Sequence, residues 1–446
     1  MEKRTGTKMI AKVCTALAVV VLVAQPVWAE QVKLDVAIGT PVMLAGEKQT
    51  AYVRVAMTGF EMDDPEKRTP VNVAIVLDKS GSMQGEKIKR AKEAAIMAID
   101  RLRRDDIVSV VTYDSTVHVL VPATKVSNRQ EIYAAIRRLQ AGGSTALFAG
   151  VSKGACEVRK FIEKNRVNRV ILLSDGIANV GPSSPGDLAE LGCSLIREGI
   201  SVTTIGLGLD YNEDLMTQLA SKSDGNHMFA ENATDLARTF NREFGDVLAV
   251  VAQDVTVTIR CARDVRPVRV LGRDAEIAGR TVVTTLNQLY SDQMKYVLLE
   301  VEVPEGRIGR EAKVASVDVS YANMATKTTD KLASTVSVRF TDLPSLVEAN
   351  TNRDVMVAAA HQIGVENNQL AVRLRDEGNI EEARQTLWSN GRVLSEQAGR
   401  YQSDELNDYA GLNRLDAQNL NDDKWVPQRK SMREVQHRIQ KQQVER

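Results

Sequence analysis

The sequence predicts an α/β protein in which a doubly wound, mostly parallel sheet is inserted into a β-sandwich-like domain and followed by a helical region. Three observations lead to this prediction. Nearly continuous apolar runs alternate with amphipathic helical segments between residues 71 and 250. Alternating apolar and polar residues, which are typical of half-buried antiparallel strands, occur on both sides of that segment. Helical periodicity dominates from residue 344 onwards.

The composition restricts the class of function. The chain has 446 residues, enough for two or three domains, and its 43% hydrophobic content can build a sizeable core. Lys and Arg together number 58, as do Asp and Glu, so no net charge favours nucleic acid as a partner. The four histidines at positions 118, 227, 361 and 437 are scattered, which argues against a histidine-based catalytic or zinc site.

The first 29 residues have the pattern of an export signal. A basic stretch at residues 3–8 precedes the apolar run Val13–Ala24, and Val27-Trp28-Ala29 forms a cleavage site. Cleavage after about Ala29 would place the protein in the periplasm, outside the cell or at its surface. An uncleaved membrane anchor is the alternative, which the short apolar run and Pro26 disfavour. No later stretch is long and apolar enough to predict a membrane span.

The rest of the sequence divides into four segments. Residues 30–70 supply the first strands of the sandwich-like domain and end in a polar linker, and residues 251–343 supply its remaining strands. Residues 71–250 form the inserted α/β domain. Insertion costs little because the termini of a compact α/β domain usually lie close together. Residues 344–446 are helical, and we interpret the basic stretch Lys424–Arg446 as a solvated helix or frayed tail.

Within the α/β domain, strands and helices alternate regularly, which is typical of a parallel sheet covered on both faces. The predicted strands are Val71–Leu77, Ile107–Thr112, Val170–Leu173, Val202–Gly206 and His227–Phe229, with Val117–Val121 as an antiparallel edge strand. The predicted helices are Glu86–Arg104, Arg129–Leu139, Leu147–Glu163, Leu188–Glu198, Glu213–Ala220 and Ala233–Phe244.

Three cysteines remain after removal of the signal: Cys156, Cys193 and Cys261. An odd number in an exported protein allows at most one internal disulfide, for which Cys156 and Cys193 are the candidate pair. We favour free and buried cysteines, and their spacing does not fit a zinc site.

The first predicted strand of the α/β domain leads into a set of oxygen ligands. The stretch Val71–Met83, VNVAIVLDKSGSM, is a buried strand followed by Asp78, Ser80 and Ser82. A parallel strand delivers its last residues to the carboxyl edge of the sheet, where open α/β folds bind ligands. A carboxylate and hydroxyls suit Mg²⁺, with Mn²⁺ and Ca²⁺ as alternatives, better than zinc.

Other interpretations of this turn fit less well. The spacing of Gly81, Gly85 and Lys87 matches neither a P-loop nor a dinucleotide fingerprint. A phosphatase with an aspartyl nucleophile requires a second carboxylate two residues later, where this sequence has Ser80. A polar loop without a ligand remains the alternative for this motif taken alone.

Two later stretches bring further oxygen atoms to the same sheet edge. The stretch Gly142–Leu147 places Thr145 on the loop before a predicted helix, and the strand ending in Ser174 is followed by Asp175. In a doubly wound sheet these loops converge on Asp78. Three hydroxyls and two carboxylates are enough for an octahedral oxygen site with an open or water-filled position.

These motifs resemble a known family. The Asp-x-Ser-x-Ser run, the Gly-Ser-Thr and the strand-ending Ser-Asp-Gly are similar to the metal-ion-dependent adhesion site of von Willebrand factor type A domains, over residues 71–245. The flanking β segments resemble exported bacterial members and, more distantly, the inter-alpha-trypsin inhibitor heavy chains. The resemblance implies metal contacts by the hydroxyls of Ser80, Ser82 and Thr145, and direct or water-mediated contacts by Asp78 and Asp175. Lys79 departs from the family pattern in size and charge.

The resemblance implies a non-enzymatic, metal-dependent protein-binding module. A divalent cation held mostly by neutral hydroxyls keeps much of its charge and attracts an Asp or Glu carboxylate of a partner protein. The alternative function is a structural or assembly factor of an envelope complex, in which the metal site only stabilises the fold. A Mg²⁺-dependent hydrolase ranks last, because only Asp175 would be available as a general base beside the metal. The partner's identity and the oligomeric state stay open.

Overall fold

The computed structural model describes residues 31–62 and 68–443. The predicted export signal lies outside the described residues, as does the middle of the polar linker. None of the helices in the described ranges is long and apolar enough to cross a membrane.

The described residues form strands in three sheets. In chain order the strands are β1 (Lys33–Ile38), β2 (Val42–Leu44), β3 (Gln49–Thr58), β4 (Val71–Asp78), β5 (Ile107–Tyr113), β6 (Val117–Lys125), β7 (Val167–Ser174), β8 (Ser201–Leu207), β9 (His227–Ala230), β10 (Val250–Cys261), β11 (Arg266–Leu271), β12 (Glu276–Ala278), β13 (Thr281–Tyr290), β14 (Met294–Val303), β15 (Glu311–Asn323) and β16 (Thr329–Thr341).

The helices belong to the α/β domain and to the C-terminal region. They are α1 (Glu86–Asp100), α2 (Arg129–Arg137), α3 (Leu147–Arg159), α4 (Pro185–Arg197), α5 (Glu213–Lys222), α6 (Leu236–Leu248), α7 (Pro344–Ala349), α8 (Arg353–Asp376), α9 (Ile380–Tyr401), α10 (Asp404–Gln418) and α11 (Asp422–Gln440).

The α/β domain contains a six-stranded sheet with the strand order β6-β5-β4-β7-β8-β9. All neighbouring strands are parallel except β5 and β6, which are antiparallel as predicted. Strands β4, β5, β7 and β8 are buried along their whole length, and most of their residues are apolar, as expected for strands covered on both faces. Helices α1, α2 and α6 pack on one face, and α3, α4 and α5 pack on the other. The predicted doubly wound sheet is therefore confirmed.

The remaining two sheets form a sandwich to which both flanks of the α/β domain contribute. One sheet has the order β1-β3-β14-β11, so two strands from before the insertion pair with two from after it. The other has the order β12-β13-β10-β15-β16-β2. Val53 and Val55 of the first sheet belong to the same core as Val257 and Val317 of the second. The predicted insertion of the α/β domain into a sandwich-like domain is thus confirmed.

A buried ion pair lies where the α/β domain meets the sandwich. The Nη1 atom of Arg169, on β7, donates to Glu243 Oε1 of α6 over 2.6 Å, and neither side chain is exposed to solvent. The Nη2 atom of Arg169 donates to the side chains of Gln288 and Tyr290, both on β13 of the sandwich. One guanidinium group therefore bonds to both domains.

The C-terminal helices confirm the predicted helical region, but the structure of its last segment differs from the prediction. The basic stretch from Lys424 forms α11, which packs against α5, α8 and β9, so the interpretation as a solvated helix or frayed tail is wrong. Lys430 is 2% exposed, and its Nζ donates to Glu213 Oε2 and to the Tyr211 carbonyl, each at 2.6 Å. Arg433 donates to Asp214 Oδ1 at 2.9 Å. Lys430 and Arg433 are therefore paired with acidic residues of α5 rather than solvated.

The cysteines are free thiols in the described chain. Cys261 is buried, as expected, whereas Cys193 is half-buried and Cys156 is exposed. The expectation of buried cysteines is therefore wrong for Cys156, whose helix α3 presents it to solvent beside Arg159.

We expect Arg169→Met to lower the free energy of unfolding by about 3–5 kcal/mol, because it leaves the buried Glu243 carboxylate without its partner. Urea-induced unfolding followed by circular dichroism measures this change. Arg260→Gln is the control, since Arg260 and Asp318 form an ion pair in which both side chains are more than half exposed. The control should cost less than about 1 kcal/mol. Equal costs for the two variants would contradict this account of the domain junction.

Candidate metal centre

Three loops meet at the carboxyl edge of the central sheet. The first follows β4 and contains the short 3-10 turn Gly81–Met83. The second precedes α3 and carries Thr145, and the third begins at Asp175 after β7. Backbone hydrogen bonds fix the first loop to the second, from Gly81 N to Gly143 O at 3.0 Å and from Gly142 N to Lys79 O at 2.7 Å. The three predicted motifs are therefore brought together, as the topology argument requires.

Asp78 lies at the base of this site and is fully buried. Its Oδ1 accepts a hydrogen bond from the Ser80 backbone N–H at 2.8 Å, and its Oδ2 accepts one from the Ser174 hydroxyl at 2.7 Å. Burial raises the pKa of the Asp78 carboxyl, the hydrogen bonds from Ser80 and Ser174 oppose that rise, and the nearby Asp175 adds to it. These two hydrogen bonds fix the orientation of the carboxylate. Each oxygen keeps a further lone pair that can accept another hydrogen bond or contact a cation.

The three predicted hydroxyl ligands surround one small space above Asp78. The Ser80 and Ser82 Oγ atoms are 3.0 Å apart, and Ser82 Oγ donates to Asp175 Oδ1 at 2.7 Å. A Cβ atom on Gly176 would lie 3.3 Å from both Ser82 Oγ and Thr145 Oγ1, and 3.9 Å from Ser80 Oγ. Glycine at this position therefore leaves free the point towards which the hydroxyls converge.

This donor set fits a hard divalent cation. All five predicted ligands contribute oxygen atoms, and the carboxylates of Asp78 and Asp175 lie next to the hydroxyl cluster. Oxygen donors suit Mg²⁺, Mn²⁺ and Ca²⁺. The described ranges contain no group of three or more His, Cys, Asp or Glu side chains arranged to hold a metal ion, so a cation at this site would depend on the hydroxyl oxygens.

Lys79, the departure from the family pattern, is neutralised at the flank of the site. Its Nζ forms an ion pair with Asp114 Oδ2 in the loop after β5. Burial raises the pKa of the Asp114 carboxyl, but hydrogen bonds from Lys79 and Thr116 outweigh this effect and hold the pKa below its ordinary value. The lysine therefore adds no net charge beside the hydroxyls.

Lys87 is a site residue that the sequence analysis missed. It lies in the first turn of α1, and its Nζ contacts Asp175 Oδ2 at 2.6 Å. The Asp175 side chain is fully buried, whereas that of Lys87 is 29% exposed. The helix after the first metal motif must begin at the sheet edge. A lysine in its first turn could therefore have been predicted to lie close to the site.

Exposed apolar side chains also border the site. Ile177 is 60% exposed and Val180 is 36% exposed, both in the loop after Asp175. Leu209, which follows β8 at the same edge, is 42% exposed. Large apolar residues exposed around a polar site are a feature of interaction surfaces.

The fold and the geometry of this site define the class of protein. Residues 72–243 match the sequence profile of the von Willebrand factor type A domain. The chain therefore contains a domain of this family, as its three motifs predicted. Domains of this family generally mediate protein interactions that depend on a metal ion, and they commonly bind a divalent metal at a site of this kind.

Similar proteins extend the comparison beyond this domain. An uncharacterized protein of Synechocystis sp., sll0103, is 29% identical over 291 residues, which are 63% of this chain and 68% of that protein. The inter-alpha-trypsin inhibitor heavy chain H3 of Pongo abelii is 31% identical over 165 residues, but these cover 35% of this chain and only 19% of that protein. The predicted resemblance to bacterial members and to these heavy chains is confirmed.

A solved structure shows the same overall fold. The structure of a von Willebrand factor type A protein from Catenulispora acidiphila superimposes with a TM-score of 0.69 at 20% sequence identity. The superposition covers 86% of this chain and 90% of that one, so the shared fold includes more than the α/β domain.

We expect Lys87→Met to tighten Mg²⁺ binding by about tenfold, because it removes a positive charge from the carboxylate beside the site. Isothermal titration calorimetry measures the dissociation constant. Lys89→Met is the matched control, because Lys89 lies on the same helix, is 58% exposed and pairs with Glu86 away from the hydroxyls. Weaker Mg²⁺ binding by Lys87→Met would instead mean that Lys87 is needed to position Asp175.

Proposed function

We propose that this protein is a metal-dependent protein-binding module, in which a divalent cation at the carboxyl edge of the sheet coordinates an Asp or Glu of a partner protein. The observation that carries the proposal is the convergence of the Ser80, Ser82 and Thr145 hydroxyls on the space beside Gly176. These hydroxyls would hold the cation directly, and Asp78 and Asp175 would hold it directly or through water. We propose Mg²⁺ as the native cation, with Mn²⁺ or Ca²⁺ as alternatives.

The charges around the site support an acidic partner. Lys87 offsets the charge of Asp175, and Asp114 offsets that of Lys79. Among the described residues, no lysine or arginine pairs with Asp78, which accepts hydrogen bonds from Ser80 and Ser174 instead. Asp78 therefore supplies the uncompensated negative charge of the site. When bound, the cation supplies positive charge that this donor set neutralises only in part. A carboxylate from outside the chain completes the neutralisation and fills the open position.

A non-enzymatic role is consistent with how the two carboxylates of the site are bound. Asp78 accepts hydrogen bonds from Ser80 and Ser174. Asp175 accepts them from Ser82 and Lys87. A general base must be placed to take a proton from a bound reactant, whereas we propose both carboxylates as cation ligands that these hydrogen bonds hold in position. We therefore propose binding and assign no catalytic step.

An assembly role is the second candidate, and the C-terminal helices favour it. Large apolar side chains are exposed on α9 and α10, among them Trp388 at 43% and Leu415 at 49%. In this case the helical region forms the interface with an envelope complex, and the metal site stabilises the α/β domain. On the basis of the predicted export signal, we propose that either function is carried out outside the cytoplasmic membrane.

The proposed function is tested by isolating complexes of the full chain from an envelope fraction with Mg²⁺ present, followed by elution with EDTA. We expect EDTA to release the partner, and Asp78→Asn to weaken both Mg²⁺ binding and partner capture by at least about tenfold, since it removes the site's unpaired negative charge. Asp318→Asn, an exposed change on the sandwich, is the control and should behave as the wild type.

The same assay separates the two candidates. Capture that survives both EDTA and Asp78→Asn rejects the metal-dependent module. Loss of that capture in the double variant Trp388→Ser, Leu415→Ser would then support the assembly role. Circular dichroism spectra confirm that each variant retains the fold.

A further inference from the structure

Thr145 is the predicted metal ligand with the least support from its own segment of the chain. It lies on the loop before α3, outside any helix or strand, so no regular ladder of hydrogen bonds holds its backbone. The residue is only 4% exposed, and a buried backbone N–H and carbonyl need partners within the protein. Whichever residues supply those partners also determine where the Thr145 hydroxyl lies.

The partners come from the loop after β7. The Thr145 backbone N–H donates a hydrogen bond to the side-chain Oδ1 of Asn179 at 2.8 Å. The Thr145 carbonyl accepts hydrogen bonds from the backbone N–H groups of Asn179 at 3.1 Å and of Val180 at 3.3 Å. Asn179 therefore bonds to the peptide groups on both sides of the Thr145 side chain.

These bonds connect two of the three loops that form the site. The loop of Asn179 begins at Asp175, so its bonds to Thr145 join the second metal motif to the third. The bond from Gly81 to Gly143 joins the first motif to the second in the same way. The side chain of Asn179 is exposed at the surface of the site, and it is not one of the predicted metal ligands.

The chemistry of asparagine suits this position. Its amide oxygen accepts a hydrogen bond from a backbone N–H without carrying a charge. An aspartate could accept the same bond, but it would add a negative charge beside the hydroxyl cluster. Asn179 therefore fixes the backbone of Thr145 without neutralising a cation bound next to it.

We propose that Asn179 is a positioning residue of the candidate metal centre, which holds the Thr145 hydroxyl towards the point where a cation would lie. That point is marked by Gly176, where an added Cβ would lie 3.3 Å from Thr145 Oγ1. The proposal rests on the proposed function, because it requires Thr145 to be a metal ligand. Residues that orient metal ligands from outside the coordination sphere typically change metal affinity by about 10–100-fold when they are substituted.

Isothermal titration calorimetry with Mg²⁺ tests this role on the full chain. Asn179→Leu keeps a side chain of similar size but removes the acceptor of the Thr145 N–H, so we expect binding at least about tenfold weaker than that of the wild type. Asn179→Asp keeps the acceptor and should bind Mg²⁺ at least as tightly as the wild type. The control is Ser184→Ala, which removes a different acceptor from the end of the same loop, where Ser184 Oγ accepts from the Asp187 N–H at 3.1 Å. The control should bind Mg²⁺ as the wild type does.

Bound Mn²⁺ provides a second measurement, which a general loss of stability would not reproduce. The relaxation rate of water protons reports how many water molecules are coordinated to the ion. We expect an additional water molecule in Asn179→Leu, because water replaces the misplaced Thr145 hydroxyl. The number should be unchanged in Asn179→Asp and in Ser184→Ala.

Amide hydrogen exchange in the presence of EDTA tests the hydrogen bond without any metal. The Thr145 amide should exchange faster in Asn179→Leu than in the wild type and keep its protection in Asn179→Asp. Unchanged exchange in Asn179→Leu overturns the assignment.

The outcomes separate this proposal from the proposed function. If the wild type binds Mg²⁺ and Asn179→Leu binds it equally well, the positioning role is rejected and the metal-dependent function is retained. If the wild type binds no Mg²⁺, both are rejected. Weaker binding by Asn179→Asp than by the wild type also rejects the positioning role, because this variant keeps the hydrogen bond on which the role depends.

Discussion

The buried pair of Arg169 and Glu243 is the interaction on which the rest of the architecture depends. Arg169 lies on β7, the strand that ends at Ser174 and delivers Asp175 to the site. The same guanidinium group bonds to Gln288 and Tyr290 of the sandwich. The sandwich thus holds the start of the strand whose end carries a predicted metal ligand. A buried charge without its partner is costly, so this junction allows little freedom between the domains.

The sequence was sufficient to predict the sheet and the meeting of the loops at its edge, because both follow from local patterns, whereas the ligand set stays a prediction. Strands buried on both faces are mostly apolar, which identified β4 and the Val170–Leu173 part of β7. Parallel strands in a doubly wound sheet must place their carboxyl ends on one edge, which brought Asp175 to Asp78. Thr145 follows α2 rather than a strand, and backbone hydrogen bonds join its loop to the loop after β4. No distance had to be known to bring Asp78 and Asp175 together, since the topology of parallel strands is enough.

The features that were missed depend on distances between remote residues. The basic stretch of α11 looked like a solvated tail because its acidic partners, Glu213 and Asp214, lie more than two hundred positions earlier. His227 and His437 are scattered in sequence, yet their ring centroids are 6.0 Å apart. Burial lowers the pKa of both imidazoles, that of His227 to about 3, so they pack there as neutral rings. Sequence periodicity contains no information about such pairs.

The position of Lys87 connects the electrostatics of the site with the proposed function. A carboxylate with its full charge would hold a cation more tightly, but it would also neutralise the charge that attracts a partner. The ammonium of Lys87, 2.6 Å from Asp175 Oδ2, offsets part of this negative charge. The cation is then held less tightly, but it keeps more of the positive charge that attracts a partner's carboxylate. Three neutral hydroxyls act in the same direction, because they supply oxygen atoms without negative charge. On the proposed function, the site gives up part of its affinity for the metal so that the bound cation retains the capacity to bind a carboxylate from another protein.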